Sequence, residues 1–209
     1  MATLEDILKT SNSYLDLEFS LPTGSELATR VDFANQAVKD ACSAYSFPEF
    51  SEIYQVYATC ATISLPSNFR ELEEAPAVET NGVWEEYPQI NSKDRINKLS
   101  TDEYCYVLGS PNHYNLYING LSSAATIAIQ YQRYPSGMAT LSDVCELPDA
   151  EYVKLKLISY VLQSRSDERF PTLETETNNR LMNMMGRSAI QPSGGVRQIP
   201  NKQTFRIGK

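Results

Sequence analysis

Residues 131–157 read YQRYPSGMATLSDVCELPDAEYVKLKL, and the chain changes period inside them. Up to Arg133 apolar and polar residues alternate, as in a half-buried strand. Pro135 and Pro148 bracket the stretch in which the period changes. After Pro148, Tyr152, Val153, Leu155, Leu157, Ile158, Val161 and Leu162 define a helix that is apolar on more than one face. Such a helix is expected to be central among other helices or to lie against a neighbouring subunit. The stretch reads as a joint between a strand-rich part and a helical part.

Upstream of the joint the strand signals are dense. IYQVYATCATISLP, GVWEEY, EYCYVLG, HYNLYING and ATIAIQYQRYP are rich in β-branched and aromatic residues and bounded by Gly, Pro, Ser or Asn. Between them NSKDRINKLS suggests one short helix, capped by Asn91 or Ser92. Short strands joined by turns imply an antiparallel sheet or small barrel rather than βαβ units.

The two ends of the chain are helical. Thr3 and Asp6 form an N-terminal helix signal, and Leu4, Ile7, Leu8 and Leu15 share a face over about residues 3 to 13. Pro22 and Gly24 break the chain before SELATRVDFANQAVKDACSAY, with Ser25 available as a cap. Its Leu27, Val31, Ala34, Val38, Ala41, Cys42 and Tyr45 recur at helical spacing, and its Glu26, Arg30, Asp32, Gln36, Lys39 and Asp40 read as a solvated face. A last helix starts with Pro171 in its first turn and presents Leu173, Thr177, Leu181, Met184 and Met185 on one face. The expected fold is therefore α+β: a four-helix bundle from residues 1–50 and 148–190, interrupted by an antiparallel strand-rich insertion at 51–147, with an extended C-terminal tail at 191–209.

A formal charge of -8 argues against a general nucleic-acid-binding surface, because polyanion affinity comes mainly from Lys and Arg. The residues from Gly195 to Lys209 run the other way, carrying Arg197, Lys202, Arg206 and Lys209 with no acid. Cys42, Cys60, Cys105 and Cys145 form no Cys-x-x-Cys pair and read as free thiols in a reducing compartment. MATLEDILK lacks a basic segment followed by an apolar one, so no secretory signal is expected, and no apolar run reaches the roughly 18 residues of a membrane span.

No catalytic constellation emerges, and the chain is read as a non-enzyme without cofactor or metal. His113 is the sole histidine and sits in the turn-like SPNHYN. Metal-ligand spacing is lacking, and SGGVRQ is not a phosphate-binding loop. Glu73-Glu74 and Glu85-Glu86 leave a small hydrolase as an alternative, and thirteen tyrosines leave a carbohydrate-binding virion module as another.

Several pieces recur in one order: Leu65-Pro66; Gly109 with Pro111 and Tyr114; Tyr131 to Pro135 as Tyr-x-Arg-x-Pro; and Leu147 to Tyr152 as Leu-Pro-Asp-x-x-Tyr. In this order the chain resembles the head-to-tail adaptor (connector, head-completion) proteins of tailed bacteriophages. The resemblance implies a structural virion protein in the neck between capsid and tail, made in the host cytoplasm. Its copies would form a ring, typically twelvefold, that joins the portal protein to a downstream tail protein and lines the DNA conduit without binding DNA specifically. It further implies a C-terminal segment that reaches the portal, here Arg197, Lys202, Phe205, Arg206, Ile207 and Lys209. Tyr152, Leu155 and Tyr160 are the candidate subunit interface on the widely apolar helix. A tail-completion or tail-tube protein is the alternative within the same particle.

Overall fold

The computed structural model describes residues 2–16, 18–80, 82–121 and 123–190. Four α-helices, α1 (Leu4–Asp16), α2 (Ser25–Ala44), α3 (Ala150–Ser164) and α4 (Phe170–Ile190), stand beside eight strands. The strands are β1 (Ser51–Ala58), β2 (Thr62–Ser64), β3 (Phe69–Leu72), β4 (Ala77–Thr80), β5 (Val83–Glu86), β6 (Tyr104–Ser110), β7 (His113–Asn119) and β8 (Ala125–Arg133).

The strands make two antiparallel sheets. In the larger, β8 is central: β1 pairs along one edge over its whole length, while β3 and then β4 pair along the other, with β5 outside β4. The smaller has the order β2-β7-β6. Strand alternation sends Ala125, Ile127, Ile129 and Tyr131 of β8 to one face, where they share a core with Val78, Ile63, Leu116, Ile118 and Cys105. The two sheets therefore close on a common apolar interior. A second core lies among the helices, around Leu4, Leu8, Ala41, Phe47, Leu157 and Ile158, all fully or almost fully buried. Each such side chain contributes about 1.5–3 kcal/mol on burial.

The expected four-helix bundle interrupted by an insertion is corrected by this architecture. The centre of the chain is strand-rich in its own right, with two sheets and eight strands, and the helices do not close a bundle. Instead α3 is a hub: α1, α2 and α4 each pack along it, while α1 and α2 meet only briefly and α4 makes no extended contact with either. Apolar periodicity shows how many faces of a helix are covered; it does not show which helices cover them. The tail at 191–209 lies outside the described residues.

Local details follow from the residues. Thr3 and Asp6 cap α1 reciprocally, with Asp6 N–H donating to Thr3 Oγ1 at 3.2 Å and Thr3 N–H donating to Asp6 Oδ2 at 3.1 Å. Ser25 does not cap α2; it is the first helical residue, and Gly24 at φ 61° takes the cap position with no side-chain bond. The apolar run from Ile53 to Pro66 is two strands rather than one, and the expected short helix is a single 3-10 turn at Asp94–Asn97. The β6–β7 hairpin turns at Pro111 and Asn112, the latter at φ 69°. Gly109 enters that hairpin at φ 145°, where a Cβ would stand 2.2 Å from the His113 carbonyl oxygen. Gly109→Ala is therefore expected to cost about 2 kcal/mol or more in a urea titration. An unchanged midpoint would mean that the hairpin opens without penalty.

Candidate assembly surfaces and the joint between them

The joint is built around Arg133, the last residue of β8. Its Nε lies 2.9 Å from Glu52 Oε1 on β1. Its other two nitrogens grip both oxygens of Glu146, at 3.0 and 3.2 Å, just before α3. The guanidinium also lies over the Phe50 ring, 5.1 Å from the centroid. One side chain thus ties the first strand, the last strand and the approach to the hub helix.

Burial pushes the Glu146 carboxyl up, but the hydrogen bonds from Arg133 and from the Ser136 N–H at 2.8 Å outweigh it and hold the carboxyl below its ordinary range.

The connecting loop is itself pinned. Asn35 on α2 both accepts from Met138 N–H at 2.8 Å and donates to Met138 O at 2.9 Å. Leu4 N–H and Glu5 N–H donate to Asp143 O and Leu141 O at 2.8 and 3.0 Å, and Cys145 N–H donates to Ala2 O at 3.0 Å. Asp149 caps α3 by accepting from Glu151 N–H at 3.1 Å and holds Arg180 of α4 at 2.6 and 3.0 Å. The loop is a fitted wedge between α1, α2 and the sheets.

The ordered sequence pieces meet in space. Leu65 N–H donates to Tyr114 O at 2.9 Å, which joins the Leu-Pro piece to the Gly-x-Pro-x-Tyr piece. Phe69 N–H donates to Pro66 O at 3.0 Å, and the Phe69 ring packs on Tyr114 and Tyr131 at 5.5 and 5.7 Å. Tyr131 and Arg133 both bind Glu52, and Arg133 holds Glu146, from which the chain runs directly into Leu147 and Asp149. Phe69 was not singled out in the sequence; its only signal was its place after Leu65-Pro66.

The proposed interface residues are placed differently from one another. Tyr152 and Leu155 lie in the helical core at 2% and 7% exposure and present nothing to a neighbour, because the companions of α3 come from its own chain. Tyr160 is partly buried, donates its hydroxyl to Asp40 and packs against Phe33. Arg30 is not on a wet face: it is 1% exposed and donates to Asn12, Asp16 and Glu26 at 2.7, 2.8 and 2.5 Å. Arg165 joins the same two acids at 3.1 and 3.2 Å, so one cluster ties α1 and α2 to the end of α3. Arg197, Lys202, Phe205, Arg206, Ile207 and Lys209 fall outside the described residues.

On the outer face of the smaller sheet Tyr104, Tyr106 and Tyr117 stack on one another at 6.3 and 5.1 Å, with Arg95 5.5 Å from the Tyr106 ring centre. These rings spend their faces on each other and on Arg95, which does not favour a sugar-stacking row. His113 is exposed on the hairpin, and Glu73 accepts from Ser51, Gln130 and Gln132. Burial pushes the thiols of Cys42 and Cys105 up to about 11 and about 12, which makes them poor nucleophiles. Among the described residues no group of three or more His, Cys, Asp or Glu could hold a metal ion, and no helix is long and apolar enough to cross a membrane.

No protein-family model and no curated protein matches the chain.

Because Glu146 is held below its unfolded value of about 4.3, its stabilisation is present above that pH and is lost as pH falls through the lower folded value. Glu146→Gln is expected to cost about 1–2 kcal/mol at pH 7. The gap from wild type should narrow below about pH 4 in denaturation curves. A gap constant with pH would show that the carboxylate charge is not what holds the joint.

Proposed function

We propose that this chain is a connector subunit of a tailed-phage virion, acting in a ring that joins the portal vertex to the tail and leaves a passage for DNA. The observation that carries the reading is the convergence of the ordered sequence pieces on one joint. Leu65, Tyr114, Phe69 and Tyr131 are joined by backbone bonds and ring contacts, Tyr131 and Arg133 share Glu52, and Arg133 grips Glu146 three residues before Asp149 caps the hub helix. The pieces that carry the likeness to phage adaptors are thus the pieces that hold this architecture together.

Other features support the same reading. A ring with head-to-tail contacts needs two unlike subunit faces, and the sheet part and the helical part are chemically and geometrically unlike. Exposed Ile53, Tyr57, Ile96 and Leu99 supply apolar surface on the sheet part, and exposed Phe19 and Met182 supply it on the helical part. A body with a surplus of acids suits a conduit wall, since DNA slides past like charge instead of adhering.

Mixing the full-length protein with the portal ring encoded in the same genome should give co-sedimentation and, in electron micrographs, an added ring on one end of the portal. A chain that remains monomeric and separate from the portal at micromolar concentration would remove the basis for this function.

A further inference from the structure

The sheet edges are not equally guarded. β3, bonded only to β8, is four residues long and carries Arg70; β5 is four residues long and carries Glu85 and Glu86; and β2 is three residues long. The outer edge of β6 is covered where Cys105 N–H donates to Pro88 O and Ile90 N–H donates to Cys105 O, both at 2.9 Å. The remaining edge belongs to β1, which has eight residues and contains no Pro and no Lys or Arg. Its partner β8 matches it residue for residue with no register shift, and apart from Ser51 N–H donating to Pro48 O at its start, no other backbone group of the described residues bonds to it. Its lone charge, Glu52, is turned to Arg133 and to the Tyr131 hydroxyl, while Ile53 and Tyr57 stand 53% and 67% exposed. A long, regular, apolar edge of this kind is a template for another strand.

We propose that the free edge of β1 receives, as an added strand, the C-terminal segment from Val196 to Lys209 of a neighbouring copy. The inference rests on the connector reading only in supplying that neighbour. The sequence QTFRIGK alternates, so that in an extended chain Phe205 and Ile207 share one face and Arg206 takes the other. Seated on β1, the first pair lies on the face of Ile53, Gln55 and Tyr57, two of which it can meet at once, and Arg206 comes to the face of Glu52. Charge agrees with this pairing. Strand β1 carries one acid, Glu52, and no cation, whereas the segment carries Arg197, Lys202, Arg206 and Lys209 with no acid. The nineteen residues after α4 reach at most about 60 Å, enough to leave their own subunit.

Disulfide trapping in full-length chains tests this. In a Cys60→Ser background, which removes the exposed native thiol, one preparation carries Ile53→Cys, Gln55→Cys or Tyr57→Cys, and a second carries Phe205→Cys or Ile207→Cys. On mixing under mild oxidation, at least one combination should form a cross-linked pair at least about tenfold faster than a control with Asn178→Cys on the exposed side of α4. Cross-linking no faster than the control overturns the proposal. So does cross-linking that is absent from the mixture and confined to a third preparation, whose chains carry both cysteines, which puts the segment on its own edge. A segment cysteine that instead cross-links to the portal overturns it too. Portal co-sedimentation of the same preparations separates the two ideas: binding without cross-linking sinks only the strand pairing, and cross-linking without binding sinks only the connector reading.

Discussion

Where the sheets stand relative to the helices depends on one guanidinium. Arg133 has five donors in a fixed fork, and the structure engages them on both sides of the joint: Glu52 from the sheet, Glu146 from the approach to α3, with the Phe50 ring beneath. A bidentate grip fixes direction as well as distance. An apolar contact of equal area would hold the parts together but let them slide, because dispersion is short-ranged and indifferent to angle. The joint is therefore better suited to setting an orientation than to adding stability, as is usual for partly buried ion pairs.

Polar groups do related work among the helices. Glu174 of α4 accepts from Lys156 at 2.7 Å and from Ser159 on α3, and Lys156 also lies over the Tyr160 ring. Asp149 and Arg180 join the same two helices nearer the start of α3. At its other end Arg30 and Arg165 share Asp16 and Glu26. Burial raises Asp16, and the two arginines more than reverse that, leaving the carboxyl below its ordinary range. Around a hub helix with apolar residues on several sides, many rotations bury similar area. These specific bonds select one of them.

Much of this was legible in the sequence, for identifiable reasons. Helices with a regular apolar stripe and the strand-rich centre follow from period alone, and the Thr3–Asp6 cap from a local pattern. What failed was pairing. The bundle expectation went wrong because α3's all-round apolar character demands companions without naming them, and those companions left no face of Tyr152 or Leu155 outside. Arg30 read as solvated because its own helix offers only polar neighbours such as Glu26 and Asp32, whereas two of its three partners, Asn12 and Asp16, belong to another helix. The Arg133–Glu146 grip spans thirteen residues of loop and has no period to reveal it. Only the order of the Leu-Pro, Tyr-x-Arg-x-Pro and Leu-Pro-Asp pieces hinted that they belonged together.

The two cores bear on how the proposed connector would serve its assembly. The interior between the sheets and the interior among the helices are separate clusters, and no helix packs along either sheet. They communicate through the wedge of residues 134–149, whose Met138, Cys145 and Leu147 belong to the helical core and whose backbone is bonded to α1 and α2, through Arg133, and through one bond from Ser46 to Glu71. Strain applied to one part is then borne at the joint before it reaches either core, since close-packed interiors resist deformation more than hydrogen-bonded loops do. A subunit that must match one symmetric partner above and another below benefits from this division. Each core keeps its surface fixed while the loop absorbs a small misfit between them. In this protein residues 133–149 are the part of the chain where two separate cores are joined by a few charges and backbone bonds instead of by a shared interior.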